Sequence, residues 1–448
     1  MIQACDLRLG LVALARTTFD IPLATEVAAQ ARAHLRSAGY SLSGPETLVT
    51  DLAQARQVAG QLAGAPLDLL VVLQATFADS TMVMSLARAI EAPLLLWAVP
   101  EARSGGRLRL NSFCGINLGA HALRRAGHSY AYAYAPPDDR AIVDQVHTLA
   151  RAGRARRLLR GARLGRVGEN PAGFDSCRLD AAALTDRLGV EVVQVPLADV
   201  FQTVSDTAPG DVEDVYRELS TRLDGLEEVD PAALRRSLAS YQALRQLAEA
   251  QGLAGLAVRC WPEFFTELGC AACGAMSMLS DEGTPCSCEA DVNGTISQLI
   301  LQWIGGGPAF GTDVVSFDLD DDAVAVWHCG LAPLSMADPE ARPRATIHSN
   351  RQLPLLMEFP LKPGRVTVAR LSEATGDYRL VVASGEMLRA PMSFSGTSGL
   401  LRFDRPARQV LDTMLSEGLE HHVSLTYGDH VPALLALAKM LELPILHL

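Results

Sequence analysis

The residues best suited to chemistry lie between positions 270 and 313 of this 448-residue chain. Four of them are the cysteines Cys270, Cys273, Cys286 and Cys288. Their C-x2-C-x12-C-x-C spacing is close to that of a four-thiolate zinc site. The intervening segment GAMSMLSDEG (274–283) instead predicts a packed helix, because its apolar residues recur at helical spacing. We therefore interpret the cysteines as core residues and keep two alternatives, a zinc-thiolate site and CxxC redox chemistry.

Two carboxylates, Glu289 and Asp313, offer a different chemistry. Apolar residues at spacings of three and four predict a helix over 292–304 that ends at the glycines 305–307. Asp291 then sits at the helix N-cap, and capping is the role we assign to it. Glu289 lies just before the cap, at a strand-to-helix junction where side chains commonly enter a cleft.

The chain between the two carboxylates is long enough to bring them together. A helix of this length spans about 20 Å, and residues 305–313 can extend up to roughly 30 Å. Two converging carboxylates repel each other unless a cation or a proton lies between them, and oxygen ligands suit Mn²⁺ or Mg²⁺. Spacing alone favours the alternative that Glu289 and Asp313 are unrelated surface acids.

The elements that must position these residues begin with a parallel sheet. The first third of the chain has the apolar runs LRLGLVAL (7–14), LDLLVVLQ (67–74) and APLLLWAV (92–99). Helical patterns over about 23–38 and near 80–90 separate them. Continuous apolar strands separated by helices predict a doubly wound α/β domain, which we assign to residues 1–163.

The middle of the chain repeats this pattern, with strands such as VEVVQV (191–196) and LAGLAVRCW (253–261), and we assign residues 164–304 to a second doubly wound α/β domain. Ligands of open parallel sheets bind at the carboxyl ends of the strands. Arg259, Trp261 and Glu263 follow such an end and are candidate substrate-binding residues. The alternatives are packing for the tryptophan and a salt bridge within the domain for the arginine.

The last third alternates apolar and polar residues. DVVSFDL and AVAVWHCG flank the turn-like residues 320–322, and residues 364–388 alternate around Gly376 and Asp377. These patterns predict hairpins, so residues 305–448 form a mostly antiparallel β domain that closes with a helix and a strand.

Composition excludes several classes of function. The net charge of −12 argues against nucleic-acid binding, which needs Lys and Arg to replace the counterions of phosphates. The arginine-rich segment 151–166 is typical of the solvated face of a connecting helix. The sequence contains no charge-free apolar stretch of about 18 residues, so it does not predict a membrane span. Asp6 and Arg8 interrupt the apolar region that a secretory signal would need. We therefore expect a cytoplasmic protein with reduced thiols.

Four stretches carry a resemblance to a known family. They are LSDEGTPCSCEADVNGTISQLILQWIGGGPAFGTDV (279–314), VWHCG (326–330), GRVTVARL (364–371) and GLEHHVSL (418–425). They resemble the L-fucose and L-arabinose isomerase family. The likeness follows the chain in order and is most specific from residue 279 onward.

The resemblance implies an aldose–ketose isomerase that uses a divalent metal, usually Mn²⁺, and assembles as a homo-trimer or homo-hexamer. It implies that Glu289 and Asp313 bind the metal and carry protons, and that His422, in preference to His421, completes the ligand set. His421 is then a substrate-binding residue. His328 resembles a further metal-coordinating histidine or lines the substrate pocket.

The implied substrate is a monosaccharide: a pentose, a 6-deoxyhexose or a hexose with a C6 substituent such as a sulfonate. Proton transfer through an enediol and a metal-assisted hydride shift would use the same ligands. A non-catalytic sugar-binding regulatory protein is the alternative from another class, and the combination of two acids with paired histidines argues against it.

Overall fold

The structure is a computed structural model that describes residues 2–448. The chain forms two compact units. The first comprises residues 2–158 and 432–442, and the second comprises residues 159–431 and 443–448. The division into three domains at 163/164 and 304/305 stays a prediction.

The first unit is built on a parallel sheet. Its strands are β1 (Arg8–Leu14), β2 (Ser41–Ser43), β3 (Leu69–Gln74), β4 (Leu94–Ala98) and β5 (Ala131–Tyr134). They lie in the order β2-β1-β3-β4-β5. The helices between them are α1 (Ile21–Ser37), α2 (Leu52–Leu62), α3 (Ser80–Ala89), α4 (Ser112–Arg125) and α5 (Arg140–Leu159).

The apolar runs form this sheet because both of its faces are covered. Val71 and Leu73 of β3 belong to a core that includes residues of α1 and α5. Leu70 and Val72 belong to a second core that includes residues of α2, α3 and α4. Successive side chains of a strand point to opposite faces, so a strand covered on both faces must be apolar throughout.

The second unit begins with another parallel sheet. Its strands are β6 (Arg163–Val167), β7 (Glu191–Val195), β8 (Gly255–Val258) and β9 (Cys286–Ser287), in the order β7-β6-β8-β9. Its helices are α6 (Ala181–Leu188), α7 (Leu197–Asp206), α8 (Pro209–Leu219), α9 (Pro231–Gln251), α10 (Cys273–Asp281) and α11 (Val292–Gly305).

The rest of this unit is mostly antiparallel. Its strands are β10 (Phe310–Asp318), β11 (Ala323–His328), β12 (Arg344–Thr346), β13 (Leu356–Pro360), β14 (Gly364–Ser372), β15 (Arg379–Leu388), β16 (Thr397–Phe403), β17 (His422–Tyr427) and β18 (Ile445–His447). Helix α12 (Ala407–Ser416) precedes β17, and α13 (Val431–Leu441) follows it and falls mostly in the first unit.

Six of these strands close into a barrel. The antiparallel pairs β10–β11, β11–β16, β16–β15, β15–β14, β14–β17 and β17–β10 form a ring. The hairpins predicted around residues 320–322 and 376–377 connect β10 to β11 and β14 to β15. The predicted fold class, parallel α/β sheets followed by a mostly antiparallel β part, is confirmed.

Helix α11 packs against both the parallel sheet and the barrel. Its Thr295 hydroxyl donates to the carbonyl of Leu256 on β8, and its Ser297 hydroxyl accepts the backbone N–H of Leu371 on β14. The predicted helix and its cap are confirmed, because Asp291 accepts the N–H of Gly294 and Gly306 ends the helix at φ 74°.

Among residues 2–448, no helix has both the length and the apolar character needed to cross a membrane.

Candidate active site

Glu289 sits in a single turn of 3₁₀ helix, Cys288–Ala290, between β9 and α11. Both Glu289 (φ 59°) and Ala290 (φ 56°) have left-handed backbones. Residues other than glycine adopt this conformation at a cost of about 1–3 kcal/mol, and such strain concentrates at functional sites. The turn holds Glu289, a residue that is only 8% exposed, at the carboxyl end of a parallel sheet.

Three side chains approach the Glu289 carboxylate. The indole N–H of Trp261 donates to Oε1 at 3.1 Å, and His421 Nε2 lies 3.2 Å from Oε2. The Cys177 thiol lies 3.9 Å from Oε2. Burial raises the pKa of Glu289, but the hydrogen bond to His421 and the nearby His422 outweigh it and hold that pKa below its ordinary value. The carboxylate is therefore ionised at neutral pH.

Asp313 and His422 are directly opposite each other on the paired strands β10 and β17. His422 Nε2 lies 3.4 Å from Asp313 Oδ1 and 3.9 Å from Glu289 Oε2. Asp313 Oδ1 is buried and has no hydrogen-bond partner among the described residues. The structure therefore brings together the three side chains that the sequence predicted as metal ligands.

A buried ion pair lies behind His422. Asp291 Oδ2 lies 3.0 Å from His422 Nδ1, and the Arg370 guanidinium contacts both Asp291 oxygens, at 2.5 and 3.1 Å. Asp291 and Arg370 are each only 1% exposed. Burial raises the pKa of Asp291, but Arg370 and His422 outweigh it and hold that pKa well below its ordinary value. Asp291 is thus an acceptor, so the Nδ1–H of His422 donates to it and Nε2 faces the site.

Two groups of side chains could hold a metal ion. One comprises Cys177, Glu289, His421 and His422, and the other comprises Asp313, His328 and His422. The ligand atoms within each group all lie within 4.8 Å of one another, and His422 belongs to both. The Cys329 N–H donates to His328 Nδ1, which places the proton of a neutral His328 on Nε2.

The donor set fits a divalent transition metal such as Mn²⁺. The unpartnered Asp313 oxygen and the Glu289 carboxylate are donors that suit Mn²⁺ or Mg²⁺, and the imidazole nitrogen of His422 is a donor that suits transition metals. Burial raises the pKa of the Cys177 thiol well above its ordinary value, which disfavours the thiolate in the metal-free protein.

Comparison with known proteins identifies the family. Residues 10–160 match the model "Fucose/sulfoquinovose isomerase, N-terminal domain", and residues 327–447 match "L-fucose isomerase, C-terminal domain". The sulfoquinovose isomerase of Alkalicoccus urumqiensis is 32% identical over 86% of this chain and 86% of its own length. The chain belongs to the fucose/sulfoquinovose isomerase family.

Other relatives agree with this assignment. The sulfoquinovose isomerase of Priestia aryabhattai is 30% identical over 96% of this chain and 97% of its own length. The L-arabinose isomerase of a Nocardioides species is 22% identical over 73% of this chain and 69% of its own length. This member of the fucose/sulfoquinovose isomerase family is an aldose–ketose isomerase, and the resemblance drawn from its motifs is confirmed.

The contacts of the four cysteines do not favour the alternative of a zinc-thiolate site. Cys270 contacts the Ser240 hydroxyl, and Cys286 contacts the carbonyl of Thr284. The other two cysteines have different thiol neighbours, Cys329 for Cys273 and Cys260 for Cys288. The four cysteines thus contact different neighbours. In the described residues, neither of the two metal-competent groups contains any of them. Their interpretation as core residues is confirmed, since all four are buried.

The remaining predicted site residues fall in two places. Trp261 and His421 touch Glu289, as described above. Arg259 and Glu263 instead bind each other through two contacts of 2.7 Å. They line a cleft of about 630 Å³ to which no residue of the two metal-competent groups contributes. Their role in substrate binding stays a prediction.

The sequence interpretation missed Arg370, Cys177 and the second role of Asp291. Arg370 had a detectable signal, because a charged residue between the apolar residues Ala369 and Leu371 of a strand must find a buried partner if it faces the core. For Asp291, the N-cap role fully accounts for an aspartate at that position of the sequence, so nothing indicated a second role. Its contact with His422 depends on how α11 docks against the barrel.

Proposed function

We propose that this isomerase moves a sugar carbonyl between C1 and C2 at the site formed by Glu289, Asp313 and His422, with a divalent metal, Mn²⁺ as first choice. The observation that carries the proposal is the position of His422. Its Nε2 faces both carboxylates, at 3.9 and 3.4 Å, while its Nδ1 is fixed by Asp291. A bound cation would polarise the carbonyl and the neighbouring hydroxyl of the substrate together.

The side chains supply the proton chemistry. Isomerisation removes a proton from one carbon and returns it to the neighbouring carbon. Glu289 and Asp313 are the groups that we assign to this transfer. Trp261 donates to Glu289 Oε1 and so fixes the plane of the carboxylate, while the ionised state of Glu289 at neutral pH suits a base.

The names of the relatives support our proposal for the substrate class. The two most extensively matched ones described above are named sulfoquinovose isomerases. We propose a hexose with an anionic substituent at C6, with sulfoquinovose as the first sugar to test. A homo-trimer or homo-hexamer stays our proposal for the assembly.

The test is an NMR assay of the full-length protein with Mn²⁺ in D₂O. Sulfoquinovose, L-fucose and L-arabinose are offered in parallel, and the appearance of ketose and of deuterium at C2 is followed. We expect Glu289→Gln and Asp313→Asn to lower turnover by at least about 100-fold, the lower range of general acid–base contributions.

Two exposed carboxylates provide matched controls, Glu386→Gln and Asp412→Asn, and both should keep wild-type turnover. Near-normal turnover in either site variant would refute the assignment of Glu289 and Asp313. Ketose formation without deuterium uptake would favour the hydride shift over the enediol.

A further inference from the structure

Arg351 lies beside the site, on the loop between β12 and β13. Its guanidinium carbon is 4.9 Å from the centre of the Trp261 ring and 5.0 Å from that of Phe265. Trp261 in turn donates its indole N–H to Glu289 Oε1 at 3.1 Å. Because one indole ring makes both contacts, the Arg351 guanidinium lies within about 10 Å of the Glu289 carboxylate.

The Arg351 guanidinium has no anionic partner in the described residues. No carboxylate among residues 2–448 forms an ion pair with it within 4.0 Å. Arg259 and Arg370, in contrast, each contact both oxygens of a carboxylate. A guanidinium that is stacked on aromatic rings and has no carboxylate is pre-organised to bind an anion with its planar set of N–H donors.

His348 holds Arg351 in position. The residue is buried, at 7% exposure. Burial and the nearby Arg351 lower the pKa of His348 to about 4, so the ring is neutral and can accept a hydrogen bond. Because a guanidinium can only donate, Arg351 Nη1 donates to His348 Nε2 at 3.3 Å. This bond orients the guanidinium and leaves its other N–H donors without a carboxylate partner among the described residues.

We propose that Arg351, oriented by His348, binds a tetrahedral oxyanion carried by the sugar at the end opposite its carbonyl. This inference rests on the proposed function, since it names the residue that binds the C6 substituent. An extended six-carbon chain spans roughly 6 Å between its terminal carbons, from ordinary C–C bond lengths. A sulfonate or phosphate attached to C6 adds a further bond, so the group can reach Arg351 while C1 and C2 lie at Glu289.

The experiment compares wild type with Arg351→Gln, Arg351→Lys and His348→Phe in the full-length, Mn²⁺-loaded protein. Arg408→Gln, an exposed arginine on α12, is the control. Steady-state kinetics are measured with sulfoquinovose, glucose 6-phosphate and uncharged glucose. Binding of the same three sugars to the metal-free protein is measured by isothermal titration calorimetry, which does not require turnover.

We expect Arg351→Gln to weaken binding of the sulfonated sugar by on the order of 10- to 100-fold, the value of a hydrogen bond to a charged group. The change should appear in KM rather than in kcat. The affinity for uncharged glucose should change less than about two-fold, because glucose has no charged group to bind Arg351. Arg351→Lys should retain part of the affinity. A comparable loss with glucose 6-phosphate but not with sulfoquinovose would identify phosphate as the natural oxyanion.

Equal losses for charged and uncharged sugars would overturn the inference, because the residues would then act on folding. Unchanged binding of both charged sugars in Arg351→Gln would overturn it as well, even if wild type isomerises sulfoquinovose. Arg351-dependent binding of a charged sugar without any turnover in wild type would instead support the oxyanion site and refute the proposed isomerase chemistry.

Discussion

Replacing Arg370 with methionine should destabilise the second unit far more than the loss of a surface ion pair does. Arg370 and Asp291 are both 1% exposed, and the guanidinium contacts both carboxylate oxygens. Removal of the cation leaves the Asp291 charge buried without its main partner. Breaking a buried pair from one side costs about 3–5 kcal/mol of unfolding free energy.

The double variant Asp291→Asn/Arg370→Met tests the reasoning. Asparagine caps helices as well as aspartate does, so α11 keeps its cap while the buried charge disappears. Glu420 lies 3.9 Å from the guanidinium and remains buried, so recovery is incomplete. We expect the double variant to be about 2 kcal/mol more stable than Arg370→Met alone, within the range of coupling energies for contacting residues.

Urea unfolding followed by tryptophan fluorescence measures this effect, because three of the four tryptophans, Trp261, Trp303 and Trp327, lie in the second unit. Arg365→Met is the matched control on the same strand, since the Arg365–Asp404 pair is exposed and its loss should cost about 1 kcal/mol or less. A burial cost for the unpaired Asp291 charge would be refuted if Arg370→Met lost no more stability than Arg365→Met, or if the double variant were less stable than Arg370→Met.

Three further outcomes follow from the site. His422→Ala should abolish Mn²⁺ binding measured by calorimetry. His421→Ala should weaken Mn²⁺ binding less, because the His421 side chain is 38% exposed and its Nδ1 contacts the Ser176 hydroxyl. Equal losses of Mn²⁺ affinity in the two variants would contradict this ranking. Asp291→Asn should lower Mn²⁺ affinity by about 10- to 100-fold through the orientation of His422, and unchanged affinity would refute that role. Cys286→Ser should leave the metal content of the purified protein unchanged by elemental analysis, and loss of stoichiometric zinc would revive the thiolate site.

Local patterns predicted the elements of the site well. The helix over 292–304 appears as Val292–Gly305, because its apolar spacing, its aspartate cap and its terminal glycine all act within one short stretch. Such signals need no knowledge of the rest of the molecule. They located Glu289 at the end of a strand, and the structure places it there.

The sequence could not predict the register that completes the site. Asp313 is opposite His422 because β10 pairs with β17, a strand more than one hundred residues later in the chain. Neighbouring residues of a strand point to opposite faces, so only one of two adjacent histidines should face the site. His421 nevertheless reaches Glu289, because it precedes the first residue of β17 and is not bound by that alternation.

Asp291 links the parts of the second unit that build the site. One carboxylate accepts hydrogen bonds from the start of α11, from Arg370 on β14 and from His422 at the start of β17. The strained backbone of Glu289 and Ala290 immediately precedes it in the chain, so the same contacts that dock α11 against the barrel also anchor the strained turn. Asp291 therefore links the position of His422 to that of the turn that carries Glu289. A residue with no direct part in the proton transfer thus constrains the distance between a carboxylate at the end of the parallel sheet and a histidine of the barrel.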